Sequence, residues 1–358
     1  MISTIIKREF INYLKNPIYY IGAVLVFLCI YLNVSPYLEI GYFTEESEIK
    51  TLDYDTGLAD ADIMDGYITP TAEEQYDMGL DKIREIFIND FHKPESEAAA
   101  IIRELKESRR SIREIAQYLE ENYAFRGADS YFYYDSSLKK ATVEEANQYI
   151  RNALGRNSYS DYFSRKYVDF LSVYIIFYAI LMLAFLFIRD SKKDIYELLH
   201  TKPVKAWQYV AGKVLGGMAG MVLAVTAMTA AFDVIVIFHC RAAGFPVSVW
   251  ELWYAVLLYI IPNLLMITSV YTGVAILFKN PLPAIPALVL YMVYSNMGRV
   301  TEEGTVIYPR LAIVVRFQDR FFETVIPPQE VFNQIFLMVC TILILLISIL
   351  IWKRRRVY

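Results

Sequence analysis

Residues 331–352 read VFNQIFLMVCTILILLISILIW and contain no charged side chain. A helix needs about 20 mostly apolar residues to cross the hydrocarbon core of a bilayer, so this stretch is long enough for one crossing. The six residues that follow, 353–358, read KRRRVY. We therefore predict a transmembrane helix at 331–352 with a basic tail on one side of the membrane.

Further apolar stretches precede this one. The chain is 56% hydrophobic and its mean hydropathy is +0.32, whereas an ordinary soluble domain is about 45–50% apolar. We predict an all-α polytopic membrane protein with six transmembrane helices, the first five at 17–40, 167–188, 208–240, 251–278 and 282–297. The fifth is short and opens on Pro281 and Pro283, so a full span and a re-entrant segment both stay open.

The direction of insertion is predicted from Lys and Arg residues in short flanking segments, which favour the cytoplasm. With the N-terminus inside, fourteen basic residues flank the inner ends: Lys7, Arg8, Lys15, Arg189, Lys192, Lys193, Lys202, Lys205, Lys213, Lys279, Lys353, Arg354, Arg355 and Arg356. Only five flank the outer ends: Arg241, Arg299, Arg310, Arg316 and Arg320. We predict a multi-pass protein of the cell membrane with both termini in the cytoplasm.

Residues 1–16 precede the first span and predict an amphipathic helix on the inner membrane surface. One side carries Ile2, Ile5, Ile6, Phe10 and Tyr13, and the basic residues lie elsewhere on the helix. A simple basic anchor is the alternative interpretation. The apolar run after Lys15 is longer than the core of a signal peptide, and no small-residue cleavage site follows it. It is therefore predicted to stay in the protein.

Residues 41–166 predict an extracellular domain that is mainly helical. Apolar residues between 96 and 123 recur at helical spacing, and Thr142 with Glu145 predicts a capping box that opens another helix. The aromatic run 131–134 fits either a ligand-facing patch or a domain core. Asp residues between 53 and 65 do not have the spacing of an EF-hand, and the cysteines show no metal-binding spacing, so no metal site is predicted.

The loop 189–207 reads RDSKKDIYELLHTKPVKAW and predicts a short cytoplasmic helix. Ile195, Leu198 and Leu199 share one face, and Pro203 ends the helix. An exposed apolar face on a short helix suits a partner groove. Packing on the protein's own membrane bundle is the alternative.

The third span begins with Gly212, Gly216 and Gly220, which recur every four residues and allow close approach of another helix. Gly212 and Lys213 do not form a phosphate-binding loop, because no glycine stands upstream at the required spacing and no Ser or Thr follows. No ATP site is therefore predicted in this chain. Asp233 lies within the span, and an ionisable group there is a candidate translocation-path residue or a hydrogen-bonded structural one.

Residues 298–330 are predicted as an extracellular loop before the last span. Its apolar stretch 311–315 could form short re-entrant or interfacial helices. Such a segment would line an outer gate or cover the bundle as a lid. A net charge of −4 gives no reason to expect a nucleic-acid partner.

The layout resembles the permease subunits of ABC-2-type ABC transporters that carry a large outer domain between spans one and two. The match includes the N-terminal segment KREFINYLKNP, the single span after it and the later five-span block. In such permeases a coupling helix with an acidic residue, a leucine pair and a proline precedes a Gly-Lys that enters span three. The residues that look like this pattern are Glu197, Leu198, Leu199, Pro203, Gly212 and Lys213.

The resemblance implies a mechanism. A separate ABC ATPase, which binds ATP and Mg, would dock on the coupling helix, for which Ile195 and Glu197 are candidates, and on the N-terminal helix. The permease would work with a second permease chain, identical or related, and with membrane lipid around it. Exported substrates in this family include peptides, lipids and drugs, and the aromatic outer domain suits an amphipathic cargo.

Three other functions are alternatives to this one. A membrane-anchored sensor or assembly scaffold would use the outer domain as a receptor. A membrane-embedded enzyme would need a polar constellation in the spans, where Asp233 is nearly alone by sequence. An ion-driven transporter would show internal repeats and more buried charge.

Overall fold

The computed structural model describes residues 2–52, 58–188, 204–301, 306–317 and 319–354. Their α-helices are α1 (Ile2–Leu14), α2 (Pro17–Val34), α3 (Ala72–Asn89), α4 (Glu95–Ser108), α5 (Ile112–Tyr123), α6 (Val143–Leu154), α7 (Tyr159–Ile188), α8 (Ala206–Ala243), α9 (Trp250–Tyr259), α10 (Ile261–Phe278), α11 (Ala284–Ser295) and α12 (Pro328–Arg354). Two-residue strands pair as β1 (Tyr67–Ile68) with β2 (Lys139–Lys140) and as β3 (Arg299–Val300) with β4 (Val306–Ile307). The described residues are therefore mostly helical with almost no sheet, as predicted.

The chain divides into two compact units, which are described separately. The bundle unit comprises Met1–Glu39, Leu154–Arg299 and Ile307–Tyr358, and the inserted domain comprises Ile40–Ala153 and Val300–Val306. Within the part of the chain that the structure describes, five helical stretches are long and apolar enough to cross a membrane: Pro17–Glu39, Tyr159–Ile188, Ala206–Ala243, Trp250–Phe278 and Pro328–Arg354. This confirms a multi-pass membrane protein.

The fourth stretch is two helices rather than one. Helix α9 ends at Tyr259 and α10 begins at Ile261, with Pro262 in its first turn. A proline has no amide hydrogen to donate to the carbonyl four residues earlier, and its ring crowds that carbonyl, so a helix is broken or kinked there. The predicted span 251–278 therefore contains a break near its middle.

The predicted fifth span is shorter than a membrane crossing. Helix α11 has 12 residues, which at 1.5 Å per residue gives about 18 Å, against about 30 Å of hydrocarbon. After β4 the chain runs back as an irregular, mostly buried segment, residues 311–317, which lies against the end of α11 and the start of α12. The Ile313 N–H donates to Ser295 Oγ at 2.9 Å, and the Leu311 N–H donates to Asn333 Oδ1 at 2.8 Å.

This buried segment replaces the helices that the sequence suggested for the loop 298–330. Among the described residues of this loop that precede α12, only Phe321–Glu323 form a helical turn, of the 3-10 type. Irregular backbone at membrane depth is tolerated only where protein groups satisfy it. Most of the segment meets this condition, since Ala312, Ile313, Val314, Val315 and Phe317 are each at most 3% exposed, while Leu311 and Arg316 are partly exposed.

The tail end of the bundle is the place where α12 finishes beside the start of α8. The rings of Tyr209 and Trp352 stack with centroids 3.9 Å apart, and Val204, Val210 and Ile276 complete a small core around them. Helices α10 and α12 run side by side, and a Cβ added at Gly273 would lie only 3.1 Å from Ile344. The absence of a side chain at Gly273 therefore permits this close packing.

The inserted domain has a core formed by its helices. Two capping boxes start α3 (Thr71 with Glu74) and α5 (Ser111 with Glu114). The predicted box at Thr142 is confirmed, because its N–H and hydroxyl donate to Glu145 and its hydroxyl accepts from the Glu145 N–H. The stripe predicted within 96–123 is buried in this core together with residues of α3 and the aromatic run: Leu80, Ile83, Phe87, Ile101, Leu105, Ile115, Leu119, Phe125 and Phe132.

The aromatic run 131–134 is divided between the core and the surface of the inserted domain. Phe132 is fully buried, and a Cβ at Gly79 would lie 2.2 Å from its ring, so only glycine fits there. Tyr134, by contrast, is 50% exposed. In the acidic stretch, Asp62 and Asp65 cap a short 3-10 helix and Lys50 pairs with Asp65 at 2.7 Å. Asp53 and Asp55 lie outside the described residues.

Candidate coupling and translocation site

The predicted coupling helix falls on residues that the structure does not describe. Ile195, Glu197, Leu198, Leu199 and Pro203 all lie between 189 and 203, outside the described residues. Its flanks are described, because α7 ends at Ile188 and α8 begins at Ala206. The described residues next to this segment are therefore the end of α7 and the start of α8, on which α1 packs.

The glycine stripe of α8 faces α1. A Cβ added to each of these glycines would meet the N-terminal helix at less than ordinary contact distance. The three contacts are Gly212 with Ile5 at 3.0 Å, Gly216 with Glu9 at 2.7 Å and Gly220 with Tyr13 at 2.4 Å. Along each helix the contacting residues are four apart, and they follow the same order in both. The two helices are therefore parallel and in contact over about two and a half turns.

An ion pair lies at the centre of this contact. The Lys213 ammonium donates to Glu9 Oε1 at 2.7 Å, and the two side chains are only 2% and 6% exposed. The same ammonium lies 5.0 Å from the centre of the Phe187 ring at the end of α7. Removing one partner of a buried pair leaves an uncompensated charge, which costs about 3–5 kcal/mol. The pair therefore ties α1, α7 and α8 together.

Two tyrosines extend the contact along α8. The Tyr13 hydroxyl donates to the Gly217 carbonyl at 3.1 Å, and the Tyr19 hydroxyl donates to the Gly220 carbonyl at 2.7 Å. Burial raises the pKa of Tyr13 well above its usual value, so this hydroxyl stays protonated. The Tyr13 ring reaches α8 because Gly220 has no side chain, since a Cβ there would lie 2.4 Å from the ring. We call this set of contacts the α1–α8 clamp.

Glu9 was missed as a functional residue by the sequence analysis. The predicted apolar side of the N-terminal helix, which includes Ile5 and Tyr13, does turn inward, but Glu9 is buried at its centre. A signal existed in the sequence. A lone acid within an apolar helical stripe and a lone Lys213 among glycines at the start of a span are each costly unless they meet.

Asp233 is buried between α8 and α9. The Trp253 indole N–H donates to Asp233 Oδ2 at 3.2 Å, and Oδ1 has no hydrogen-bond partner among the described residues. The residue is 6% exposed. A carboxylate with one bonded oxygen in such a place is either a polar contact point for a passing group or a structural acceptor.

A second set of buried polar side chains surrounds the segment 311–317. The sequence did not lead us to predict it. Arg316 Nε donates to Asp169 Oδ1 at 2.7 Å, and the same oxygen accepts from the Phe317 N–H at 3.1 Å. Ser172 Oγ donates to the Val315 carbonyl at 2.8 Å, and Asn263 Nδ2 donates to the Ile313 carbonyl at 2.5 Å. The impression from sequence that Asp233 is nearly alone is therefore wrong, because loop residues bring polar partners to the spans.

This network also leaves polar atoms without partners. Among the described residues these are Asn263 Oδ1, Asn333 Nδ2 and both polar atoms of Gln334, all buried. Beyond the spans, Lys166 Nζ donates to the Asp319 carbonyl at 2.5 Å, and burial raises the pKa of the Asp319 carboxyl. Unsatisfied buried polar atoms are unfavourable by about 1–3 kcal/mol each, so a water molecule or another polar group that reached these atoms would bind favourably.

The comparisons with known proteins agree with the fold. The sequence matches the family described as ABC-2 family transporter protein over residues 3–355. Because the match covers nearly the whole chain, this protein belongs to that family and is a transmembrane permease of an ABC transporter. Searches of curated proteins and of solved structures find no significant match.

Proposed function

We propose that this chain is the membrane permease of an ATP-driven exporter that moves an amphipathic cargo out of the cell. A separate ATPase subunit binds ATP and Mg and supplies the energy, and a second permease chain, identical or related, completes the pathway. Both termini lie in the cytoplasm. The excess of basic residues in the inner flanks supports that orientation.

The α1–α8 clamp is the observation that carries the proposal. The loop 189–203 joins α7 to α8, and Lys213 contacts both the α7 end, at Phe187, and Glu9 of α1. A force applied to this loop would reach three elements at once. Packed helices held by a buried ion pair and tight glycine contacts move as one body rather than bending separately. Such a linkage suits the transfer of ATPase motion to membrane spans.

The buried polar groups support a path through the bundle. Asp233, Asp169, Asn263 and Gln334 place further buried polar groups within the bundle unit. Ionisable groups at membrane depth commonly mark substrate pathways. We propose that Asp233 contacts the polar part of the cargo during transport.

The proposal is tested by purifying the full chain from its native membranes in mild detergent and identifying the chains that accompany it. A stoichiometric soluble chain with a Walker A motif is expected. Glu197→Arg should reduce this association at least fivefold, while Glu107→Arg, at an exposed position of α4, should not. Absence of any ATPase under several mild detergents would overturn the exporter assignment and favour a sensor or scaffold.

A further inference from the structure

A pocket of about 330 Å³ opens on the bundle unit where α7 and α9 begin. One wall of the pocket is formed by α7 and the other by α9. Ile326 lines one edge. The residues that matter for its chemistry are Asp161, Arg165, Trp250, Glu251, Tyr254 and Tyr259. The pocket therefore combines two carboxylates, one guanidinium and three aromatic rings.

The charges in this pocket do not cancel. Arg165 pairs with Asp161 on the same helix and also donates to the Thr324 carbonyl. Glu251 Oε2 accepts from the hydroxyls of Ser158, at 2.6 Å, and Ser160. Across the described ranges no Lys, Arg or His lies within ion-pair distance of Glu251. One carboxylate thus remains, oriented by two serines and without a cation.

The aromatic walls suit a cation with an apolar body. Trp250 and Tyr254 are 76% and 66% exposed, and Leu257, one turn further along α9, is 64% exposed. These three residues lie at positions i, i+4 and i+7, so they form one stripe on the helix surface. The faces of aromatic rings attract ammonium groups, with quaternary ammonium ions as a well-known ligand class. The stripe continues away from Glu251 as a purely apolar surface.

We propose that this pocket binds the positively charged head of a cationic amphiphile, with its alkyl tail along Tyr254 and Leu257. The inference rests on the proposed function, because it names the cargo class of the same permease. Aromatic residues alone would serve as interfacial anchors. This pocket differs from such an anchor because the Glu251 carboxylate, which has no cationic partner among the described residues, lies beside the rings. A carboxylate does not help aromatic residues to anchor a helix at the membrane surface, but it does attract a cationic head group.

The test uses the purified full chain in uncharged maltoside detergent and a trimethylammonium amphiphile with a photoreactive dodecyl tail. Cross-linked residues are mapped by mass spectrometry. Saturable labelling is expected within residues 250–257, competed by unlabelled dodecyltrimethylammonium. The sulfate and phosphocholine amphiphiles with the same tail should compete at least tenfold less well. The phosphocholine arm separates a cationic amphiphile from an ordinary zwitterionic membrane lipid.

Variants separate the pocket from general hydrophobic labelling. Glu251→Gln keeps an oxygen for the two serine hydroxyls but removes the charge, and it should weaken binding about tenfold. Trp250→Ala should weaken it about threefold or more, and Glu107→Gln on exposed α4 should change nothing. Equal competition by all three amphiphiles, labelling spread over every apolar helix, or unchanged binding in Glu251→Gln would overturn the inference.

Two separate measurements, ATPase association and the selectivity of labelling, test the proposed function and the cationic pocket independently. If an ATPase chain accompanies the permease but labelling is unselective, the permease assignment stands and the cationic pocket is wrong. If labelling is selective and no ATPase accompanies the chain, the pocket stands as a binding site and the exporter proposal is wrong.

Discussion

The Glu9 carboxylate and the Lys213 ammonium lie 2.7 Å apart although 204 residues separate them in sequence. Glu9 is the residue that faces Gly216, and Lys213 follows Gly212, so the ion pair fixes which turn of α1 meets which turn of α8. A shift of one turn would remove both the pair and the Tyr13 bond to the Gly217 carbonyl. The contact therefore has one stable register.

Removing one member of this pair should destabilise the protein. Lys213→Met leaves the Glu9 carboxylate buried without a cation, and we expect the free energy of unfolding to fall by about 3–5 kcal/mol. The measurement is unfolding of the full chain by dodecyl sulfate titration from mild detergent. The double variant Glu9→Gln/Lys213→Met should recover more than half of the loss, since no isolated charge remains.

The control for this prediction is Lys7→Met, because Lys7 is an exposed lysine of α1, the helix that carries Glu9. It should change the free energy of unfolding by less than about 0.5 kcal/mol. A Lys213→Met protein as stable as this control would show that the pair is not energetically coupled to the fold.

Gly216 should tolerate no larger side chain. A Cβ there would lie 2.7 Å from the Glu9 Cβ, so Gly216→Val must push α1 away from α8, at a cost of about 1–3 kcal/mol. Gly41→Val is the control, because nothing lies within 4 Å of a Cβ at that position. Thermal unfolding of both proteins in detergent gives the comparison. Equal melting temperatures would mean that α1 is not packed on this stripe.

The membrane fold could be predicted from sequence because hydrophobic length is a local property. Stretches such as 167–188 and 331–352 exceed the bilayer requirement regardless of what packs against them. The capping box at Thr142 and Glu145 is likewise local, since its residues are three apart. The start of α7 at Tyr159 was missed because polar residues before 167 extend the helix beyond its apolar part.

The polar interior could not be predicted because its partners are distant in sequence. Asp169 meets Arg316 across 147 residues, and Arg316 belongs to a segment predicted as an outer loop. The helix break beside Pro262 has a local signal that the predicted single span 251–278 did not use. The irregular path of 311–317 depends instead on side chains of four helices that bond its backbone. The pocket at Trp250 and Glu251 arises only when α7 and α9 lie together. The periodicity of apolar residues within one helix does not show which distant residues will contact that helix.

The inserted domain should lose stability in acid because of one lysine between two capping-box glutamates. Lys139 Nζ lies 2.6 Å from Glu74 and 2.7 Å from Glu145. Its ammonium and the Thr71 donors hold the pKa of Glu74 at about 2, below the usual 4.5, and Lys139 with Thr142 lowers the pKa of Glu145. A carboxyl whose pKa is lower in the folded than in the unfolded state stabilises the folded state at pH values above its unfolded pKa. This stabilisation is lost as the pH falls from about 4.5 towards 2.

Amide hydrogen exchange of the full chain measures this effect in the first turns of α3 and α6. Protection, corrected for the intrinsic exchange rate, should be lower at pH 3 than at pH 6. In Lys139→Met the difference between the two pH values should shrink, because the main cause of the lowered pKa is gone. Lys82→Met, an exposed lysine of α3 whose side chain is 50% exposed, should leave it unchanged. An identical pH response in Lys139→Met would refute the assignment.

The Asp169–Arg316 pair should hold the buried segment in place. Arg316→Met strands the Asp169 carboxylate, which is 5% exposed, and we expect a loss of about 3 kcal/mol in the free energy of unfolding. The double variant Asp169→Asn/Arg316→Met should regain most of it, since a neutral amide still accepts the Phe317 N–H. Arg310→Met, at an exposed arginine before the segment, is the control. If Arg316→Met matches that control, the segment is held by its apolar residues alone and the ion pair does not determine its position.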